Sequence, residues 1–585
     1  MKEDLKKIKD LKKKWQEKIV DSRLKRYKLA KSPTTFYTPS DLEDFDFTEK
    51  VGFPGQYPFT AGNDPVPGWQ AMAESQAIAS NRFEWGGASS GGAGKYAGFG
   101  TPEDYRDYLL RMHELGRKAG PNFAMDLPTQ CGYDSDDDRA MGEVGRVGVA
   151  VDTLKDFEVI YEAYTGDIDI DKIASNFTAN GAASIIIAMY AALAEKRGIP
   201  LEKLRGTPQN DILKEYVGRG TYIFPARPSL RLFRDLLVFS ANRLPKMNIT
   251  SIGGYHMREA GVSREQDLAF SMAIGTEYLK TGVEAGVDID LFAPKFTFNA
   301  FGGSMEFYKE IAFQRAARRM WANILKNRFG AKNPRSMMIR QIMTAHIGCS
   351  STTLQRPLNN LTRAVVGGMA GGMSGGIPFG AMPPWDEPLG LGHSLEAQQL
   401  GHDATRILMY EAKLGEVLDP WAGSFFMETL TNEIEKSALE ELKKIDEMGG
   451  ALASIENGYM QHAASQGAYK RQKMIENHEQ FVVGVNCFAG PTEIDVRTER
   501  SVEAVYDSSL TATAEKRKKE GLAKLKAERD NVLVEDSLNK LGAAAKNEQE
   551  NLMPFLIDCV KTYATLQEMC DAMRKEFGTA EPTTI

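Results

Sequence analysis

One short segment, GTPQNDILKEYVGR at residues 206–219, is the most informative part of this sequence. Pro208 and the Asn210-Asp211 pair predict a helix start, because proline suits a first helical turn and Asn or Asp can satisfy the free N–H groups there. An apolar face at helical spacing then predicts that the helix packs inward; its members are Ile212, Leu213, Tyr216 and Val217. Gln209 and Arg219 remain as polar residues at the two ends. Glutamine can donate to a carbonyl, and the planar fork of arginine suits a carboxylate.

Around this segment, from about residue 80 to 490, short β-type runs alternate with amphipathic helical runs. Predicted strands are 146–152, 247–256, 290–298, 336–343 and 481–487, and predicted helices are 102–118, 181–197, 263–284, 303–329 and 394–413. Repeated β-then-α order indicates a parallel sheet, either an eight-stranded barrel or a doubly wound sheet. No Gly-x-Gly-x-x-Gly follows a first strand in the dinucleotide-binding arrangement, which disfavours the doubly wound sheet. We therefore predict an α/β fold with a (β/α)8 TIM barrel.

Composition excludes several classes of protein. With 585 residues, 42% of them hydrophobic, the chain can bury a large core and form more than one domain. A formal net charge of -7 gives no support for nucleic-acid binding, and no apolar run approaches the ~20 residues that span a bilayer. The N-terminus lacks a secretory apolar core, and five scattered cysteines indicate reduced thiols, so we expect a cytoplasmic protein.

Three regions follow from the pattern. Residues 1–50 predict an N-terminal helical arm, 51–490 the barrel, and 491–585 a charged helical belt. Apolar residues recur every three or four positions at the start of the arm, among them Trp15. Either this helix is solvated and caps its own domain, or it packs on another chain; the cost of exposing Trp15 keeps the second alternative open.

A second segment, GYHMREAG at residues 254–261, joins the first in a resemblance to a known family. Together they resemble the large chain of the adenosylcobalamin-dependent acyl-CoA mutases, and the likeness runs from about Val51 to Phe577. The resemblance implies the barrel fold, a helical belt after it, and a radical carbon-skeleton rearrangement of an acyl-CoA. Such chemistry needs few acid–base groups, because the cofactor supplies the radical while the protein holds the substrate and excludes water.

The resemblance also implies the catalytic residues. His256 follows a β-rich run and would hydrogen-bond the thioester oxygen, with Tyr255 near the adenosyl group. Gln209 would help hold the substrate carbonyl, and Tyr96 would wedge against the adenosyl group. Arg219 would pair with the free carboxylate of a malonyl- or succinyl-type substrate, whereas members acting on monocarboxylic esters have a neutral residue there.

Residues for coenzyme A and for the cofactor are implied less directly. Lys295 stands where the family usually has an arginine for coenzyme A, with Thr297 beside it, and lysine binds phosphate as a point charge. Glu387 matches a glutamate that contacts the ribose of the cofactor, and Leu391 matches a residue against the corrin. Their neighbourhood departs from the family pattern.

The family's cobalamin-binding domain carries Asp-x-His-x-x-Gly, and none of the seven histidines lies in that pattern. The resemblance therefore implies that a separate small cobalamin-binding subunit supplies the cobalt ligand, in a heterotetramer, and that this chain alone is inactive. No metal site is expected on this chain.

Two glycine-rich segments, 85–94 and 367–376, depart from the family pattern and flank site positions. Because glycine leaves volume where a side chain would be, we expect a bulkier dicarboxylic substrate, an aryl- or alkyl-substituted succinyl-CoA. Two alternatives stay open: a mutase with the family's ordinary methylmalonyl-type substrate, and a catalytically idle barrel that binds CoA esters or a cobalamin subunit. Joint retention of Gln209, Arg219, Tyr255, His256 and Tyr96 speaks against the idle barrel.

Overall fold

The computed structural model describes residues 5–28, 30, 36–42, 45–65, 93–114, 119–146, 148–299, 301–340, 351–375, 385–386, 395–490 and 508–580. Most of this chain is helical. The α-helices are Leu5–Trp15, Asp21–Tyr27, Phe47–Lys50, Pro102–Glu114, Leu127–Cys131, Leu154–Ile160, Ala183–Lys196, Ile212–Lys214, Ala226–Arg243, Gly254–Ala260, Arg264–Glu284, Ile289–Phe292, Phe307–Asn327, Pro334–Met337, Asn359–Gly372, Leu395–Arg406, Phe425–Glu447, Ala451–Glu456, Tyr459–Glu476, Ser508–Glu528, Asn531–Lys546, Met553–Lys561 and Leu566–Phe577. Single π-helical turns lie at Gln16–Val20, Glu215–Arg219 and Ile407–Glu411.

Short parallel strands form the centre of the fold, each beside its neighbour in sequence. They are β1 Ala93–Ala97, β2 Gly120–Phe123, β3 Ala174–Phe177, β4 Arg205–Pro208, β5 Thr250–Ile252 and β6 Phe296–Phe298. β1 to β4 form one ladder and β5 pairs with β6. The Ser251 amide joins the two ladders by donating to the Gln209 carbonyl at 2.8 Å, and the Phe298 amide continues them by donating to the Arg340 carbonyl at 2.8 Å. Helices run between the strands, as parallel connections require.

One face of this sheet is aromatic and buried. Phe123 of β2 and Phe177 of β3 lie in register, with ring centroids 5.2 Å apart. Phe298 of β6 packs its ring at 5.0 Å from Trp321 of helix Phe307–Asn327. These rings belong to two hydrophobic cores that lie between the strands and the surrounding helices. Burial of this face against helices therefore holds the sheet in place.

The opposite face is lined by small polar residues. Asn122, Asn176 and Thr207 lie side by side in the register of β2, β3 and β4. Ser251 pairs with Thr297 in β5 and β6. Because side chains alternate along a strand, these residues project away from the aromatic face. Burying this polar face against apolar groups would cost free energy, so it indicates a ligand or water on that side.

The charged C-terminal helices pack on the first core. Met553, Leu556 and Met569 lie in the same core as β2 and β3. Lys518, from the charged run that the sequence places in the belt, is buried and pairs with Asp152 and Asp156. Part of that run therefore anchors its helix, while its neighbours face solvent.

Buried arginines on helix Phe307–Asn327 tie distant segments together. Arg315 pairs with Asp419 and Glu428. In the described part of the chain, the acceptors that bond the Arg318 guanidinium are all backbone carbonyls, from Phe59, Thr60 and Ser374. These bonds connect residues before β1 to the chain after the glycine-rich helix Asn359–Gly372.

The structure corrects several predicted elements. Pro208 ends β4 instead of starting a helix, which begins at Ile212; a proline at a strand end costs no ladder hydrogen bond. The described part of 146–152 contributes one bridge, Met125 to Val149. Residues 481–487 form a loop, because the Asn486 side chain bonds backbone groups of Ile475, Gln480 and Val482 and folds the chain back on itself. Strand 290–298 is confirmed only over Phe296–Phe298, and strand 247–256 over Thr250–Ile252. The predicted helices are confirmed within a few residues where the structure describes them, and β1 to β4 were missed.

Candidate active site

Gln209 lies directly past the carboxyl end of β4, where the backbone fixes it from two sides. Its amide donates to the Phe177 carbonyl of β3 at 2.8 Å, and its carbonyl accepts from the Ser251 amide of β5 at 2.8 Å. Its side chain is buried and accepts from Asn180 Nδ2 at 2.9 Å. Carboxyl ends of parallel strands are where α/β enzymes place their sites.

The turn from Ile212 to Arg219 contains a buried ion pair between Lys214 and Glu215. Ile212, Leu213 and Val217 are buried, as the spacing predicted. Lys214 and Glu215 are also buried, with side chains 0% exposed, and they bond each other. Arg219, 21% exposed, has its Nη1 atom 3.6 Å from Glu215 Oε1.

Glu215 is the acceptor on which this cluster converges. Besides Lys214 and Arg219, it accepts from Asn180 Nδ2 at 2.6 Å and from the amide and hydroxyl of Thr221 at 3.0 and 2.7 Å. Burial by itself would raise the pKa of Glu215, but Lys214, Arg219 and the hydrogen-bond donors outweigh it and hold that pKa below its usual value. Glu215 is therefore an anion at neutral pH.

His256 and Tyr255 lie in the first turn of helix Gly254–Ala260, directly after β5. The Asp211 carboxylate accepts from the Gly253 amide at 2.7 Å and from the Tyr278 hydroxyl at 2.9 Å, which ties this helix to the Gln209 segment. Both rings are half-buried, with centroids 3.9 Å apart. The Glu215–Arg219 turn packs against the same helix, because a Cβ at Gly218 would lie 2.8 Å from the His256 carbonyl oxygen. Gln209, Arg219, Tyr255 and His256 thus meet at one end of the sheet.

Lys295 lies at the other end. It immediately precedes β6 and lines a cavity of about 670 Å³ with Arg205, Lys246, Arg335 and Arg340. The carboxylate of Asp290, also in the lining, is already bonded to two backbone amides and to Ser336. Among the described residues, no acceptor bonds the buried Lys295 ammonium, and burial lowers its pKa. Such a basic cavity suits a phosphorylated ligand.

Other predicted residues are placed in part. Thr297 is buried in β6 and its hydroxyl donates to the Thr250 carbonyl at 2.9 Å. Tyr96 lies in β1, in register with Asn122, while its side chain lies outside the described residues. Glu387 and Leu391 also lie outside them.

Sequence reasoning missed the residues that hold the site. Asn180, Lys214 and Glu215 were not selected, although the charged pair interrupts an otherwise apolar helical face. The position of a lysine and a glutamate between the apolar Leu213 and Val217 could have indicated a buried ion pair. Asn180 had none, because its partners are 29 to 35 positions away.

Comparison with known proteins identifies the family. The family profile described as Methylmalonyl-CoA mutase matches residues 30–579. The chain belongs to the methylmalonyl-CoA mutase family.

Members of the methylmalonyl-CoA mutase family resemble this chain to different extents. It is 36% identical over 486 residues to the mouse protein named "Methylmalonyl-CoA mutase, mitochondrial", covering 83% of the chain and 62% of the mouse protein. It is 36% identical over 558 residues to the "2-hydroxyisobutanoyl-CoA mutase large subunit" of Aquincola tertiaricarbonis, covering 94% of the chain and 91% of that protein. With the "Methylmalonyl-CoA mutase large subunit" of Streptomyces virginiae it shares 34% identity, over 93% of the chain and 69% of the relative.

Within the described ranges, no helix combines the length and the apolarity that crossing a membrane requires.

Asp267 lies beneath the His256 helix and provides a pH-dependent test of this region. It is 0% exposed and accepts from the Gly302 amide at 2.9 Å and from Ser271 at 3.3 Å. Burial raises the pKa of Asp267 to about 7. Between about pH 4 and 7 the unfolded chain therefore releases this proton while the folded chain keeps it, so the group costs stability as pH rises, by up to about 1.4 kcal/mol per pH unit.

We predict that Asp267→Asn removes this cost. From pH 5 to pH 7.5, the Tm of the unsubstituted chain should fall relative to that of Asp267→Asn, measured by thermal unfolding in matched buffers. Asp290→Asn is the control that should show no difference in pH dependence over this range: Ser336 and two backbone amides outweigh burial and hold the pKa of Asp290 below its usual value, so above pH 5 it is ionised in both the folded and the unfolded chain. Parallel pH dependence of the chain with and without Asp267→Asn would contradict the assignment of a raised pKa.

Proposed function

We propose that this chain is the substrate-binding large subunit of an adenosylcobalamin-dependent mutase. It interconverts a branched malonyl-CoA and a linear succinyl-type acyl-CoA by 1,2-migration of the thioester group. The observation that carries the proposal is the polar face of the sheet, which leads from the basic cavity at Lys295 to Gln209, Arg219 and His256. An acyl-CoA has the same order of parts: phosphates, a polar arm and an acyl group.

β6 sets the separation between the two ends of this path. From Lys295 to Phe298, at the far end of β6, the chain advances three residues, roughly 10 Å at ~3.3 Å per residue. The polar pantetheine arm would lie along Asn248, Ser251 and Thr297. Among the described residues the buried Ser251 hydroxyl has no hydrogen-bond partner, so it is available to such an arm. Lys295 and Arg340 would bind the phosphates.

At the acyl end, each polar group has a distinct task. Arg219 would bind the free carboxylate of the substrate. His256 and Gln209 would donate to the thioester carbonyl and stabilise the charge that gathers on it during migration. The half-buried Tyr255 and His256 rings would restrict water at the reacting carbons.

The residues present fit adenosylcobalamin on this side of the sheet. Phe99 and Leu127 follow the carboxyl ends of β1 and β2 and leave 43% and 42% of their surfaces exposed, apolar area suited to a large flat cofactor. Tyr255, with Tyr96, Glu387 and Leu391 from the family resemblance, would complete its contacts. When bound, the cofactor supplies the radical by homolysis of its cobalt–carbon bond.

The names of two relatives support a partner chain. Both the Aquincola tertiaricarbonis and the Streptomyces virginiae proteins are called large subunits, and the first is matched over 91% of its length. We propose a small cobalamin-binding subunit as partner, in a heterotetramer, with the exposed N-terminal helix Leu5–Trp15 as a further contact. We also propose that the sequentially ordered strands close into an eight-stranded barrel.

The proposed function has two candidate substrates that differ in the size of the acyl group, a substituted succinyl-CoA and methylmalonyl-CoA. Segment 85–94 lies outside the described residues apart from its last two positions. In the second glycine-rich segment, 367–372 are helical and a Cβ at Gly375 would lie 2.2 Å from the Ala61 carbonyl oxygen, so Gly375 serves close packing. Segment 85–94 alone therefore favours a substituted succinyl-CoA, and an ordinary methylmalonyl substrate is the second candidate.

The test is to mix this chain with its cobalamin subunit and adenosylcobalamin and to screen acyl-CoA esters by mass spectrometry. The panel contrasts methylmalonyl-, ethylmalonyl-, aryl-substituted succinyl- and 2-hydroxyisobutanoyl-CoA. We expect rearrangement of carboxylated esters, with larger ones preferred. Equal or better turnover of methylmalonyl-CoA would reject the bulky substrate, preference for the 2-hydroxyacyl ester would reject a dicarboxylic one, and binding without turnover would indicate a binding protein.

We predict that Arg219→Gln abolishes the preference for a carboxylated ester. Loss of a charge-assisted hydrogen bond should weaken binding of a carboxylated acyl-CoA by about 1.5–3 kcal/mol, roughly 10- to 150-fold. A monocarboxylic ester should bind the variant as it binds the parent chain. Arg227→Gln is the matched control, since that arginine is 70% exposed. Unchanged discrimination in Arg219→Gln, measured by calorimetry with both esters, would refute the role of Arg219.

A further inference from the structure

Asn180 lies three residues past β3 and connects Gln209 to the Glu215–Arg219 turn. It is 3% exposed and bonds three residues of the segment 209–215. Its Oδ1 atom accepts from the Asp211 amide at 2.9 Å. Its Nδ2 group donates to Gln209 Oε1 at 2.9 Å and to Glu215 Oε1 at 2.6 Å.

The direction of the Asn180 amide follows from the chemistry of its partners. A backbone N–H can only donate, so the atom that faces the Asp211 amide must be the oxygen. An ionised carboxylate can only accept, so the atom that faces Glu215 must be the nitrogen. Rotating the Asn180 amide by a half turn would leave both the Asp211 amide and the Glu215 carboxylate without a suitable partner.

The direction of the Gln209 amide follows in turn. Because Asn180 presents N–H groups, Gln209 must turn its oxygen toward Asn180 and its nitrogen away. Among the described residues nothing accepts from Gln209 Nε2. The nitrogen is therefore left as a donor for a ligand.

We propose that Asn180 is a positioning residue that makes Gln209 a hydrogen-bond donor toward the thioester carbonyl of the substrate. Glu215 belongs to the same set of contacts, since the carboxylate that orients Asn180 also lies 3.6 Å from Arg219 Nη1. The direction of the Gln209 amide and the place of Arg219 thus depend on one acceptor. The inference rests on the proposed function, because it assigns the thioester carbonyl as the group that Gln209 meets.

The test compares two ligands that differ only at that carbonyl. Succinyl-CoA carries the thioester, and 3-carboxypropyl-CoA carries a methylene in its place. Their dissociation constants for the full chain, measured by calorimetry, give a thioester preference. In Asn180→Asp the new carboxyl group shares one proton with Glu215, because two carboxylates this close do not both ionise, and it offers Gln209 an acceptor where Asn180 offered a donor. The Gln209 amide therefore turns and its oxygen faces the substrate carbonyl.

We expect the thioester preference to fall about five- to tenfold in Asn180→Asp, the worth of one hydrogen bond, with thioether affinity within about twofold of the parent. Asn242→Asp, on an exposed part of helix Ala226–Arg243, is the matched control and should keep the preference. If Asn180→Asp does not fold, Asn180→Ala releases the Gln209 amide without adding charge and should lose part of the preference.

A double-mutant cycle separates positioning from a structural role. In a Gln209→Ala background, Asn180→Asp (or Asn180→Ala) should leave the thioester preference unchanged, because Asn180 acts only through Gln209. A change of equal size in both backgrounds, or an unchanged preference in Asn180→Asp with Gln209 present, would overturn the inference alone. A parent chain without thioester preference would overturn the role of Gln209 and the inference together, and a parent chain that binds neither ligand would overturn the proposed function.

Discussion

A buried carboxylate, Glu215, is the constraint on which the arrangement of the site depends. It takes a lysine, an arginine, an asparagine and a threonine as donors, and these come from the β3 and β4 connections and from its own turn. Removing one partner of a buried ion pair typically costs about 3–5 kcal/mol, because the remaining charge stays in a low-dielectric interior. The turn that carries Arg219 cannot drift from the loop that carries Gln209 without breaking this cluster. A flexible surface loop would give neither residue a fixed position.

The two faces of the sheet differ in polarity, and the polar face leads to Gln209 and Arg219. Aromatic residues on one face are buried against helices, so the strands need no apolar interior to be stable. The other face can then carry Asn176, Thr207 and Thr297, and it connects a basic cavity to the end of the sheet where Gln209 and Arg219 lie. An extended ligand with phosphates at one end and a carboxylate at the other matches both ends at once.

More of the site than of the sheet could be predicted from the sequence. Gln209 and Arg219 were predicted as the polar ends of one segment, and His256 was selected through the family resemblance. The structure places all three at one end of the sheet, and their catalytic roles stay predictions. Strands such as Gly120–Phe123 and Arg205–Pro208 contain glycine, proline and asparagine, which strand propensity disfavours; packing against helices and pairing with neighbours override that preference. Asn180 could not be found, because its role depends on two partners that only the fold brings near. The contact of Lys295 with coenzyme A stays a prediction, and its place at the opposite end of the sheet from Gln209 could be found only from the structure.

The most direct measurement is a crystal structure of the full chain with a dicarboxylic acyl-CoA bound. The account predicts phosphates against Lys295, the pantetheine arm along Ser251 and Thr297, the thioester oxygen within hydrogen-bond distance of Gln209 Nε2, and the free carboxylate on Arg219. Density for the ligand on the outer surface, or in the reverse direction with phosphates at Arg219, would contradict it.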